Sequence, residues 1–149
     1  MTSQELEGLV FIKAQIARTE KRIAELEMEI AEMELDVGIG SVKMDGMPHG
    51  STPGDPVARM ATAIAELRLK LAHLRVELKE QNTKLKEKEL RIRKYIDSVD
   101  NEEIKLIIEW RYIDLLDWYE IAGNLEEITG KYVDRTTPGK KMRKYLQEH

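Results

Sequence analysis

LVFIKAQIARTEKRIAELEMEIAEMELDV, residues 9–37, carries an apolar residue at every seventh position: Leu9, Ile16, Ile23, Ile30 and Val37. A second row lies three residues on, at Ile12, Thr19, Leu26 and Met33, with Thr19 its one polar member. Rows spaced alternately by three and four residues share one stripe of a helix, the a and d positions of a coiled coil. The stretch therefore predicts a long helix over about 3–37, with an apolar stripe that needs a partner along its whole length.

The partner is legible further on. Asp55-Pro56 supplies an N-cap acceptor followed by proline at the first helical position. From there an a row runs Val57, Ile64, Leu71, Leu78, Leu85, Ile92 and Val99. The d row is Met60, Leu67 and Leu74, then Gln81 and Lys88, then Tyr95, so the stripe turns half-polar after Leu78. A second helix over about 55–99 follows. Between the two, residues 38–54 hold Gly38, Gly40, Gly46, Gly50, Gly54, Pro48 and Pro53 without periodicity and read as a flexible linker.

Charge is segregated along the chain. Residues 1–36 carry nine acids against four bases, and residues 57–99 carry eleven bases against six acids. An acidic first helix opposite a basic second one favours an antiparallel hairpin within one chain. The competing arrangement pairs each helix with its own copy and sets Glu against Glu in the first. Two helices alone bury little core, so association of hairpins into a homo-oligomer is expected.

Period and composition change at Asp97-Ser98-Val99-Asp100-Asn101, where the two aspartates and the serine read as cap residues. A third helix is expected from Glu102 to about Tyr112, burying Ile104, Ile107, Ile108 and Tyr112. After a turn at 113–116, Asp117 caps a fourth helix, Trp118 to Leu125, and Gly130 breaks the pattern. Thr136-Thr137-Pro138 opens a basic last helix. The expected organisation is all-α: a coiled-coil hairpin over 1–99, then a small helix-turn-helix-like three-helix domain over 100–149.

The basic end points to nucleic acid. Residues 131–149 hold six bases against two acids, whereas 100–130 hold nine acids against two bases. Lys140, Lys141, Arg143 and Lys144 would face a duplex from the last helix, with Arg135, Thr136 and Thr137 at its N-terminal end. Lysine and arginine displace counterions from phosphate, and threonine hydroxyls at a helix N-terminus can bind a phosphate oxygen or a base edge. The whole-chain pI of about 5.5 conceals this local excess. Trp110, Tyr112 and Trp118 could stack on bases, but their spacing among apolar residues favours the core. The run Lys84, Lys86, Lys88, Arg91, Arg93 and Lys94 spreads around its helix and reads as a solvated face.

Catalysis finds no support. The chain has no Cys, and His49, His73 and His149 are widely separated, so no thiolate, metal or triad constellation follows. The stretch Gly46 to Ser51 lacks the Gly-Lys-Ser/Thr ending of a phosphate loop. No cofactor is expected. The start, Met1-Thr2-Ser3-Gln4-Glu5, lacks the basic and apolar regions of a signal peptide, and no apolar run approaches the ~20 residues that span a bilayer. A cytoplasmic, non-membrane protein is expected.

Glu109-Trp110-Arg111-Tyr112-Ile113-Asp114-Leu115-Leu116-Asp117-Trp118-Tyr119-Glu120-Ile121-Ala122 resembles the signature of phage-encoded ArpU/RinA-type late-gene transcription regulators, itself similar to the fourth region of bacterial sigma factors. The resemblance spans roughly residues 40–149 and is specific over 109–122. It implies that Arg111 and Tyr112 end one helix, and that Trp118, Ile121, Ala122 and Leu125 belong to the helix-turn-helix core. Asp117 stands where Ser or Thr is usual, and the stretch from Glu126 to Arg135 is longer than the tight turn of that motif. The implied function is a phage or prophage transcription regulator in a bacterial host cell, binding double-stranded DNA at a promoter. Its coiled coil would serve oligomerisation or contact RNA polymerase. The alternatives are a coiled-coil assembly protein such as a small DNA-packaging adaptor, an inhibitor of a host target, or a polymerase-binding factor. The last would present Asp36, Asp45 and Asp55 near a hairpin tip.

Overall fold

The computed structural model describes residues 1–43 and 56–149, with side chains for 1–36 and 56–149. It is all-α, with no strand among the described residues: α1 Ser3–Lys43, α2 Pro56–Ser98, α3 Glu102–Ile108, a π-helical turn Glu109–Ile113, α4 Trp118–Thr129 and α5 Thr137–Glu148. Helix α1 therefore runs past Val37 and takes in Gly38 and Gly40 of the expected linker. The rest of that linker, with Asp45, Asp55 and the Gly46–Ser51 stretch, lies outside the described residues.

The chain divides into two compact units, Ile16–Gln81 and Met1–Gln15 with Asn82–His149. The first is an antiparallel helical hairpin. Ile23, Ile30, Ile64 and Leu71 are buried along its seam, flanked by Leu26, Met33, Met60, Leu67, Leu74 and Leu78. All belong to the two heptad rows read from the sequence. Two ion pairs show the direction, Arg68 with Glu34 and Arg75 with Glu27, the latter at 2.9 Å. Seven residues up one helix match seven down the other, the register of antiparallel helices.

The second unit does not respect the expected boundary at residue 99. One core joins Leu6 and Leu9 of α1, Ile92, Ile96 and Val99 at the end of α2, and Ile104, Ile107, Ile108, Tyr112, Ile121, Leu125 and Met142. The small helices therefore complete their core with both ends of the long ones. The reason lies in the heptads. Leu6 and Ile96 stand at e positions, which a two-helix seam leaves half-open, yet Leu6 is fully buried and Ile96 nearly so. Apolar e residues widen the stripe and give α3–α5 a surface to close on.

Local chemistry sets the helix ends. Thr2 and Glu5 form a reciprocal capping box at the start of α1: the Thr2 amide donates to the Glu5 carboxylate at 2.7 Å, and the Glu5 amide to the Thr2 hydroxyl at 3.2 Å. That backbone bond holds the Glu5 carboxyl below its ordinary range. At the α2–α3 junction the cap is Asn101 rather than the serine or aspartates, its Oδ1 accepting from the amides of Glu103 and Ile104. Ser98 instead donates to the Tyr95 carbonyl. Asp117 caps α4 through a capping box with Glu120, and Gly130 ends that helix at φ 71°. Helix α4 runs one turn beyond Leu125, so Glu126 and Glu127 are helical and the connection to α5 is residues 130–136. Thr136, the residue before α5, makes no side-chain cap bond. The Thr137 amide donates to the Asp134 carbonyl instead.

Candidate nucleic-acid interface

The segment carrying the Arg-Tyr pair departs from a plain helix. After Ile108 the backbone widens into a π turn, in which the Asp114 amide reaches the Glu109 carbonyl at 3.1 Å. Leu115 then takes a left-handed φ of 58°, and its successor's amide closes back on the Trp110 carbonyl. Lys13 on α1 donates to the carbonyls of Tyr112 and Ile113 at 3.3 and 2.8 Å, satisfying acceptors that the end of the turn exposes.

Arg111 ties this turn to the next helix. Its guanidinium donates to the Leu116 carbonyl at 3.1 Å and lies 4.7 Å over the Trp118 ring. Tyr112 is buried, and burial, with the Glu7 carboxylate next in weight, pushes its hydroxyl pKa up. Ile121, Ala122 and Leu125 are buried. Of the six residues assigned to a helix-turn-helix core, Tyr112, Ile121 and Leu125 lie in one packed core with Trp118 half-buried against it, Arg111 joins through Trp118, and Ala122 is buried outside that cluster. Trp110 is half-buried against the same core.

Trp118 is also the floor of an open cleft. Asp117, Trp118 and Tyr119 from the start of α4 line it, opposite Arg135 and Thr136 before α5 and Gly139, Lys140 and Arg143 within it. Gly139 packs beside the Trp118 ring: a Cβ there would stand in ordinary contact with the indole, at 3.5 Å, and slightly tight, at 3.3 Å, against the flexible end of the Arg143 side chain. Arg143 is steadied by a 3.2 Å bond from Nε to the Gly139 carbonyl.

Of the seven residues expected to meet DNA, four converge on this cleft: Arg135, Thr136, Lys140 and Arg143. Thr137 is half-buried in the first turn of α5. Lys141 turns toward α3 and pairs with Glu103 at 2.8 Å. Lys144 is exposed but does not line the cleft. Sequence reasoning missed Tyr119, which is 76% exposed on the cleft rim. Counting back from buried Ile121 and Leu125 places position 119 on the opposite face of α4, so the signal was available.

A second groove shares Tyr119 and Arg135 with the first but is acidic, with Glu120, Glu126 and Asp134 around Ala122, Gly123 and the highly exposed Tyr132. Among the described residues no cluster of His, Asp and Glu could hold a metal ion, and no helix is long and apolar enough to cross a membrane. His149 stacks on Tyr145. No protein-family model matches the chain, and no curated protein or solved structure is significantly similar to it.

Proposed function

We propose that this protein is a DNA-binding regulator of transcription, of phage or prophage type, whose cleft between α4 and α5 takes the phosphate backbone of a duplex. The observation that carries the reading is the convergence of Arg135, Lys140 and Arg143, with the Thr136 hydroxyl, beside the N-terminal half of α5. Arginine and lysine there can displace counterions from phosphates, and exposed Tyr119 adds a hydroxyl within the same rim. The long helices present this module, through association or contact with RNA polymerase.

Electrophoretic mobility shift on duplexes from the gene's own upstream region, at low and high salt, tests the reading. Arg135→Ala/Lys140→Ala/Arg143→Ala should abolish the shift at moderate salt and flatten the salt dependence. Lys141→Ala, which removes only a residue paired with Glu103, should leave it nearly intact. Equal loss in both variants, or no shift with any duplex, would overturn it.

A protein target is the second reading, favoured by the acidic groove. Tyr132 and Tyr119 flank three carboxylates there, a composition suited to a basic protein surface and repelled by nucleic acid. In that case Glu126→Lys/Asp134→Lys would remove partner binding while the DNA shift stays absent.

A further inference from the structure

Helix α2 carries a second heptad stripe, on the side away from the hairpin seam. Its f positions are Thr62, Leu69 and Val76, and its b positions Ala58, Ala65 and Ala72. Spaced alternately by three and four residues, they form a continuous stripe of the same kind as a coiled-coil seam. All six are exposed, and Leu69 and Val76 keep 61% and 59% of their surface open. Among the described residues nothing covers them. The stripe stops at Lys79, where a charge takes the next b position.

We infer that this face of α2 is a homodimer interface, on which α2 of a second copy docks antiparallel about a two-fold axis close to Leu69. Three observations select that occupant. In an antiparallel seam the f row of one helix lies against the b row of the other, so Leu69 and Val76 each meet alanines, large against small.

The c row flanking the stripe reads Arg59, Glu66, His73, Glu80, all exposed. Laid against its own reverse, it sets Arg59 beside Glu80 of the partner subunit and Glu66 beside His73 of the partner subunit; a parallel pair would set like on like. On the other flank Arg68 and Arg75 approach their copies, but each is already neutralised by Glu34 or Glu27 of its own α1.

The corresponding face of α1 fails the same test. Its b row is Ala17, Ala24 and Ala31, but Lys21 interrupts its f row of Met28 and Leu35, and Glu25 and Glu32 would face each other in a self-pair. A C2 contact needs a self-complementary patch, and α2 has it. The interface is independent of what the C-terminal helices bind.

Light scattering on the full chain at micromolar concentration should give the mass of two chains, and Leu69→Glu/Val76→Glu should return one chain with unchanged helical circular dichroism. Met28→Glu/Leu35→Glu on α1 should leave the dimer intact. The chain has no Cys, so single thiols report orientation without background. A short bis-maleimide should link Leu69→Cys, next to the axis, and spare Ala58→Cys, whose copies would lie roughly 25–40 Å apart along antiparallel helices. A one-chain mass for the unaltered protein, a dimer that survives the α2 substitutions, or Ala58→Cys linking as readily as Leu69→Cys would overturn the inference. DNA binding by a chain that stays monomeric would overturn it while leaving the proposed function standing.

Discussion

The two compact units are built from the same two helices and hold together in different ways. In the hairpin unit, the buried isoleucines and Leu71 retain 7–9% of their surface, because two helices cover each other on one side only. In the other unit Leu6, Leu9, Ile107, Ile108 and Ile121 are fully buried, because three short helices close over the ends of the long ones. The hairpin is a repeat of local solutions, each layer independent of distant ones. The C-terminal helices have no such solution: α3 has seven residues and α4 and α5 twelve each, too short to stand alone in water. Their stability is borrowed from the end of α2 and from α1 residues more than ninety positions away.

The largest expected effect breaks that dependence directly. A fragment of residues 100–149 removes Leu6, Leu9, Ile92, Ile96 and Val99 from the core, and should be largely unfolded by circular dichroism and hydrogen exchange. A cooperative thermal transition in that fragment would show that the small helices are an autonomous domain after all. The next contrast is between matched truncations. Ile107→Ala should destabilise by about 3–5 kcal/mol, near the top of the range for a fully enclosed isoleucine. Ile64→Ala, on a seam open to water on both flanks, should fall near 2 kcal/mol, because the site collapses and rehydrates. Urea denaturation of the full chain measures both, and equal losses would erase the distinction between the units.

The same contrast explains what the sequence disclosed. The hairpin was legible because its core is periodic: Ile16, Ile23 and Ile30 needed only a count of seven, and an acidic first helix opposite a basic second one favoured the antiparallel pairing. The helix identities at the C-terminus were legible from Asp117, Gly130 and Pro138, which act within a few residues. Three features were not. The docking of residues 1–15 is non-local, and its one local trace, apolar e positions at Leu6 and Ile96, looks like noise in a heptad count. The π turn's carbonyls at Tyr112 and Ile113 are met by Lys13 from about a hundred residues away, a contact that only the folded chain makes. The cleft was half-legible: the basic residues were visible, but a helix of 3.6 residues per turn sends neighbours apart. Lys140 and Lys141, adjacent in sequence, therefore end on different surfaces, one in the cleft and one on Glu103.

Lys13 offers a sharper probe of the borrowed stability, since its ammonium hydrogen-bonds two carbonyls of the C-terminal segment. Lys13→Met keeps the aliphatic stem and removes the ammonium that serves the Tyr112 and Ile113 carbonyls. A loss of about 1–2 kcal/mol is expected, in line with a charge-assisted bond in a half-buried setting. Amide exchange should accelerate across 109–116 ahead of the rest of the unit; uniform acceleration would mean the lysine only adds packing.

The smallest effect belongs to the hairpin and tests the other half of the comparison. Arg75 and Glu27 are each half-exposed at 2.9 Å, so their pairing is screened and opposed by side-chain entropy. In a double-mutant cycle of Arg75→Ala and Glu27→Ala, the coupling should be only a few tenths of a kcal/mol and should vanish at high salt. A coupling several times larger would mean that charge, rather than the periodic apolar seam, holds the two helices in register. Coupling near zero with an unchanged helical signal is the outcome the seam demands, since Ile23, Ile30, Ile64 and Leu71 fix the register without it.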